Sequence, residues 1–257
     1  MPETDLIYSR DLSIARITIN RETHRNSISK KAVELFLEYL DMAENDPLVR
    51  VVCITGAGNK IFCSGADLGA GMTEDKAGIM FENYALLLTR LSQFPKPTVA
   101  GINGHCLAGG TGFMLACDIV IAREDAMFGT PEVNVGLFPM MIGALIFRNV
   151  LRKKAMEMIL LGEKLTAAKA LEMGMITRTA PSETFDRDVN AILSALCAKS
   201  PIGMKLGKQA FNAVENMELG QALTHLSREL TRIASTGDAA EGITAFLEKR
   251  TPRFMGN

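Results

Sequence analysis

Residues 101–112 read Gly101-Ile102-Asn103-Gly104-His105-Cys106-Leu107-Ala108-Gly109-Gly110-Thr111-Gly112 and run straight into the apolar stretch Phe113-Met114-Leu115-Ala116. Just ahead, Thr98 to Ile102 has the apolar run of a short buried strand. Where a chain passes through glycines into a helix, the first N–H groups of that helix lack partners and its dipole is positive. Such a junction suits an anion. Twenty residues beyond Gly112 stands one carboxylate, Glu132, in Phe128-Gly129-Thr130-Pro131-Glu132. An acid reaching the same cavity can move protons beside the stabilised anion, as chemistry through an enolate-like intermediate requires.

Working outward, Ser13 to Asn20 sets Ile14, Ile17 and Ile19 in a β-rich run, and Arg50 to Thr55 reads as a buried strand. Between them, Val33, Phe36, Leu37, Leu40 and Ala43 form the stripe of a helix over Ser29 to Asn45, closed by Asp46-Pro47. A polar, glycine-rich loop spans Gly56 to Gly71, and a long helical pattern from Glu74 to Phe94 stops at Pro95 and Pro97. Ile119 to Ala122 is a further strand. Alternating strands and helices imply crossover units covering a largely parallel sheet, an α/β fold. After about Met140 helical patterns dominate, interrupted by one strand candidate at Met175 to Arg178. The division expected is an α/β core over residues 1–195 and a helical C-terminal section over 196–257, too small for a core of its own. No internal sequence repeat is visible.

Composition bounds the partners. With 28 basic against 29 acidic residues and a net charge of −1, the chain has no overall electrostatic case for nucleic acid or an anionic membrane. Cys53, Cys63, Cys106, Cys117 and Cys197 are odd in number and lack C-x-x-C spacing, so reduced thiols are expected rather than a metal site or disulfide framework. The start of the chain is polar and acidic, and no apolar run reaches the ~18 residues of a membrane span. A cytoplasmic protein is the expectation.

Five segments in order resemble the crotonase family, the enoyl-CoA hydratases and isomerases. They are Lys60-Ile61-Phe62-Cys63-Ser64-Gly65-Ala66-Asp67-Leu68, then Asn103 to Gly110, Cys117-Asp118-Ile119, Phe128 to Gly136, and Glu241 to Arg250. The resemblance implies a spiral of ββα units with C-terminal trimerisation helices, assembling as a homotrimer or as a hexamer of paired trimers. It implies an acyl-CoA thioester substrate and no cofactor beyond the coenzyme A that the substrate carries. On the matching positions, the backbone N–H groups of Ala66 and Gly109 form an oxyanion hole, each donor being worth about 10²–10³ in rate. Ser64, Asp67, Leu68 and Gly110 lie on matching segments around the thioester, and the resemblance places Met140 beside it as well. Lys60 and Lys249 match positions that meet the CoA phosphates, and Phe246 one near the adenine. The family's lysine just after Gly-Ala-Asp is missing, with Gly69 in its place.

Three positions near the thioester carry acids in different branches of the family; here they hold Gly112, Glu132 and Met140. Adding water to a double bond needs a held water, a base and a proton for carbon. Moving a double bond needs one base that takes a proton from one carbon and returns it to another. With Glu132 alone, the preferred reading is an isomerase that shifts a 3-enoyl-CoA double bond to the 2-position. The alternatives are a divergent 2-enoyl-CoA hydratase with one catalytic acid and an acyl-CoA-binding paralogue without catalysis. Met140 and Met141 predict an apolar acyl pocket. Tyr84 sits on a helix that either lines the acyl tail or packs the core. His105 is read as a hydrogen-bonded loop residue, and Asp118 as structural.

Overall fold

Three times in succession the chain lays a strand in a large sheet, a shorter strand in a small sheet, and then a helix. A computed structural model describes residues 4–67 and 74–257. It opens with a hairpin, β1 (Leu6–Asp11) and β2 (Ile14–Ile19), and with α1 (Lys30–Asn45). The repeated units follow: β3 (Val51–Gly56), β4 (Ile61–Cys63) and α2 (Glu74–Ser92); β5 (Thr98–Ile102), β6 (His105–Leu107) and α3 (Gly109–Ala116); β7 (Ile119–Arg123), β8 (Met127–Gly129) and α4 (Met140–Asn149). Then come α5 (Arg152–Leu161), β9 (Leu165–Thr166), α6 (Ala167–Glu172), β10 (Arg178–Ala180), α7 (Phe185–Cys197), α8 (Pro201–Val214), α9 (Leu219–Ala234) and α10 (Gly237–Leu247).

The large sheet has the order β1-β2-β3-β5-β7-β10, and every pairing beyond the first hairpin is parallel. The small sheet has the order β4-β6-β8-β9, with β9 antiparallel. Parallel strands covered on both faces should be apolar throughout, and β3 shows why. Val52 and Ile54 face one core with Phe36, Leu87 and Phe113. Val51 and Cys53 face the other, which α7 closes with Phe185, Val189 and Leu193.

The helix expected from Ser29 begins as its side chain dictates: Ser29 Oγ accepts from Ala32 N at 2.9 Å, a side-chain N-cap. Other boundaries differ from expectation. The stretch read as a loop from Gly56 to Gly71 contains β4, and two further three-residue strands, β6 and β8, were not visible in the sequence. Each is too short to display a period. The strand expected at Met175 to Arg178 lies instead at Arg178–Ala180. Met175 and Ile176 turn into the core, and Thr177 Oγ1 donates to Val120 O at 2.6 Å, ending the connection before the ladder begins.

The glycine stretch is tied to the large sheet by Asn103. Its Nδ2 donates to Gly56 O and Gly58 O, both at 2.7 Å, and its Oδ1 accepts from Gly56 N at 3.1 Å. Helices α8 to α10 pack on one another. Arg50 joins this section to the core, donating to Cys197 O at 2.9 Å and Phe254 O at 2.8 Å.

Candidate active site

The segment after β4 and the segment that opens α3 meet face to face. A methyl group built on Gly65 would lie 3.0 Å from Gly109 N, and one built on Gly109 would lie 3.7 Å from Ala66 N. Gly65 has φ +96°, a conformation side chains rarely adopt, and the contact leaves no room for one. Ala108 stands at the head of α3 with φ +50° and ψ −131°, a strained conformation for alanine that sets how α3 departs. Among the described residues, neither Ala66 N–H nor Gly109 N–H has a hydrogen-bond acceptor. Two unengaged donors, one of them at the start of α3, can bind an oxygen that gains charge.

Both residues line a cavity of about 550 Å³. Its described lining includes Ser64, Ala66, Gly109, Glu132 and Met140, which the sequence had singled out. Met80, Phe81, Phe138, Met141 and Ile142 supply an apolar wall. Met80, Phe81 and Tyr84 come from one side of α2, the helix whose Tyr84 the sequence offered as lining the acyl tail or packing the core; Met80 and Phe81 were not singled out.

Glu132 lies in a single 3-10 turn, Pro131–Val135, that follows β8. Its Oε2 is buried and, among the described residues, has no hydrogen-bond partner; Thr130 Oγ1 is the other such atom. Burial pushes the Glu132 carboxyl above its ordinary range, and its own backbone N–H draws it partly back. The result is a carboxylate without an ion-pair partner among the described residues, suited to take up a proton.

At position 112 there is no space for an acid. A methyl group on Gly112 would lie 2.6 Å from the Tyr84 hydroxyl oxygen, 2.7 Å from Ile142 Cγ2 and 3.2 Å from Leu88 Cδ2. Tyr84 itself is 8% exposed, and its hydroxyl donates to Gly109 O. Its ring meets Phe113 edge-on, with centroids 5.5 Å apart. Burial pushes the phenol well above its ordinary value, with the thiols of Cys63 and Cys106 and the Glu132 carboxylate adding to the effect.

Asp67, Gly110, Lys60, Phe246 and Lys249, also singled out by the sequence, are not part of this lining. Asp67 pairs with Arg21 Nη2 at 2.8 Å, while Arg21 Nη1 donates to Ser27 O at 2.7 Å and Ser27 Oγ at 3.0 Å. Arg21 thus braces the segment that carries Ala66, and nothing in the sequence marked it. Gly110 packs on β4, where a methyl would lie 2.7 Å from Cys63 O. Lys60 precedes β4, Phe246 is 82% exposed on α10, and Lys249 follows that helix. Leu68 lies outside the described residues. His105 Nδ1 accepts from Met127 N at 3.1 Å, and Asp118 Oδ2 accepts from Thr98 N at 2.7 Å and Thr98 Oγ1 at 2.9 Å; both serve the scaffold.

Comparison with known proteins gives this geometry a family. The enoyl-CoA hydratase/isomerase profile matches residues 9–257. The chain is 34% identical over 254 residues to the 2,3-dehydroadipyl-CoA hydratase of Escherichia coli (strain K12), covering 98% of this chain and 99% of that protein. It is also 34% identical over 251 residues to the 1,2-epoxyphenylacetyl-CoA isomerase of the same strain, with 95% of each covered. The crystal structure of an enoyl-CoA hydratase from Bacillus anthracis superposes with a TM-score of 0.94 at 31% identity, over 98% of this chain and 100% of that one. The chain belongs to the enoyl-CoA hydratase/isomerase family, as its motifs implied, and is an enzyme of that family with an acyl-CoA thioester as substrate.

Proposed function

We propose that the enzyme moves the double bond of a 3-enoyl-CoA to the 2-position, with Glu132 as its single proton shuttle. In this reading the thioester oxygen sits between the N–H groups of Ala66 and Gly109. Glu132 takes a proton from C2, the electron pair passes into the thioester as a dienolate, and the same carboxyl returns the proton to C4 as the C2–C3 double bond forms. The two fixed donors strengthen as the oxygen gains charge. The carrying observation is that Glu132 is the one acid in the described lining, while the place for a second is filled by Tyr84, Ile142 and Leu88. The apolar wall around it favours an uncharged acyl group.

The remaining assignments follow the family's pattern. Lys60 and Lys249 are read as phosphate contacts and Phe246 as the adenine contact, with Ser64, Asp67, Leu68 and Gly110 shaping the thioester's surroundings. The section over residues 196–257 is read as the part that joins copies into a trimer or hexamer, because α9 buries none of its residues and exposes Leu219, Leu223 and Leu230. Among the described residues no helix is long and apolar enough to cross a membrane, and a cytoplasmic site of action is proposed.

Hydration of a 2-enoyl-CoA is the second reading. It is favoured by two relatives named as hydratases and by the free Glu132 Oε2, an acceptor open to a water. Ultraviolet absorption of the conjugated 2-enoyl thioester separates the two. It should rise when the protein meets 3-enoyl-CoA, with kcat/KM at least tenfold above any loss of signal from 2-enoyl-CoA. The reverse ratio would replace isomerisation by hydration.

A further inference from the structure

Backbone holds one side of the peptide that carries the Gly109 N–H, Ala108 O accepting from Thr111 N at 2.9 Å, and a side chain holds the next peptide. Gly109 and Gly110 are consecutive glycines, the most permissive backbone available, and they follow the strained Ala108. A donor that stabilises developing charge works only when it is fixed in advance. At this spot the structure offers one side-chain restraint among the described residues: the Tyr84 hydroxyl on Gly109 O. Tyr84 is itself rigid. Its ring abuts Phe113, which stacks on Phe36 with centroids 4.9 Å apart and planes 17° from parallel, so the hydroxyl is anchored through three aromatic rings to α1. Its oxygen also lies beside Gly109 and Gly112: a methyl built on Gly109 would be 3.3 Å away and one on Gly112 2.6 Å.

We infer that Tyr84 is a positioning residue, which locks Gly109 at the head of α3 so that its N–H faces the thioester oxygen. The assignment rests on the reading that Ala66 and Gly109 bind that oxygen; it does not depend on whether the enzyme isomerises or hydrates. The buried phenol stays neutral, so the restraint persists across the working pH range.

The test is Tyr84→Phe, which keeps the ring on Phe113 and removes only the hydroxyl. A bound 2,4-hexadienoyl-CoA reports polarisation of its carbonyl as a red shift of its absorption. The expectation is that Tyr84→Phe loses at least half of the wild-type red shift, and that kcat falls about tenfold while KM stays within threefold, as expected when a donor is misplaced by a fraction of an ångström. A full red shift and unchanged kcat, whatever happens to Tm, would make Tyr84 a packing residue and overturn the inference. Absence of a red shift in the wild type with probe bound would instead overturn the Ala66 and Gly109 reading, and this inference with it. A wild type that shifts the probe but hydrates 2-enoyl-CoA would fail the proposed reaction and leave the Tyr84 comparison decisive. Should Tyr84→Phe not fold, Gly112→Ala presses on the same hydroxyl from the other side and is expected to diminish the red shift; a full shift there overturns the inference.

Discussion

Replacing Glu132 by glutamine should remove catalysis and stabilise the fold at neutral pH. The chemical part follows from the lack of another acid in the described lining. A positioned acid or base is worth about 10²–10⁴ in rate. Here both proton transfers depend on the same group, which places the expected loss at the upper end, about 10⁴ in kcat or about 5 kcal/mol of barrier. Binding of acyl-CoA should change less than about threefold, since the carboxylate has no ion-pair partner among the described residues and gains its role only as charge moves.

The stability part follows from burial. The folded carboxyl is raised above its ordinary 4.5, so over that interval the native state binds more protons than the unfolded chain. Stability therefore falls as pH rises from 4.5 through the folded value, and the penalty is complete above it. Glutamine does not ionise and escapes this penalty. Thermal melts should show Glu132→Gln above wild type at pH 7, with the gap closing as pH falls towards 4. The wild-type kcat/KM should decline on the acid side at a pH above 4.5, because the base must be ionised. A variant that keeps more than a tenth of the wild-type kcat, or a stability gap that does not vary with pH, would refute the reasoning.

Other substitutions test the frame around the site. Gly112→Ala gains up to about 1 kcal/mol of helix propensity but drives a methyl to 2.6–2.7 Å from Tyr84 and Ile142, an overpacking of about 1–3 kcal/mol; chemical denaturation should show a net loss of about 1–2 kcal/mol. Arg21→Gln removes the 2.8 Å ion pair to Asp67 and should cost about 1–3 kcal/mol in the same assay, with kcat falling more than KM rises as the Ala66 segment slackens. Ala108→Gly relieves strain of about 1–3 kcal/mol against a glycine entropy cost of about 0.5–1 kcal/mol, and its melting temperature should rise.

How much of this was legible depended on the range of the signal. The glycine turn through Gly109 and the lone acid Glu132 stood out because each sits in a local stretch with a recognisable chemistry, whereas Ala66 was reached only through the resemblance to the family. The large sheet was legible because β3, β5 and β7 are continuous apolar runs. The small sheet was not. Its strands β4, β6 and β8 are three residues each and lie inside stretches that read as turns, so the structural repeat of strand, strand and helix leaves no repeat in the sequence. β1 escaped for a different reason: of its six residues only Leu6 is buried, so it lacks the alternation of a half-buried strand. The closure of position 112 was equally hidden, because Gly112 on α3 is filled by side chains from α2 and α4. An absent acid could be read from the sequence; the tyrosine in its place required the fold. Arg21 was silent for the same reason, its partner Asp67 being brought near only when the chain has returned past β3 and β4.

Whether water is a reactant is the question on which the account turns. The most direct measurement incubates the wild-type enzyme with 3-enoyl-CoA in heavy-oxygen water and reads the products by mass. Isomerisation with Glu132 as the single shuttle gives 2-enoyl-CoA without ¹⁸O as the product of the first turnovers. A 3-hydroxyacyl-CoA carrying ¹⁸O, formed as fast as the double bond moves, would contradict it.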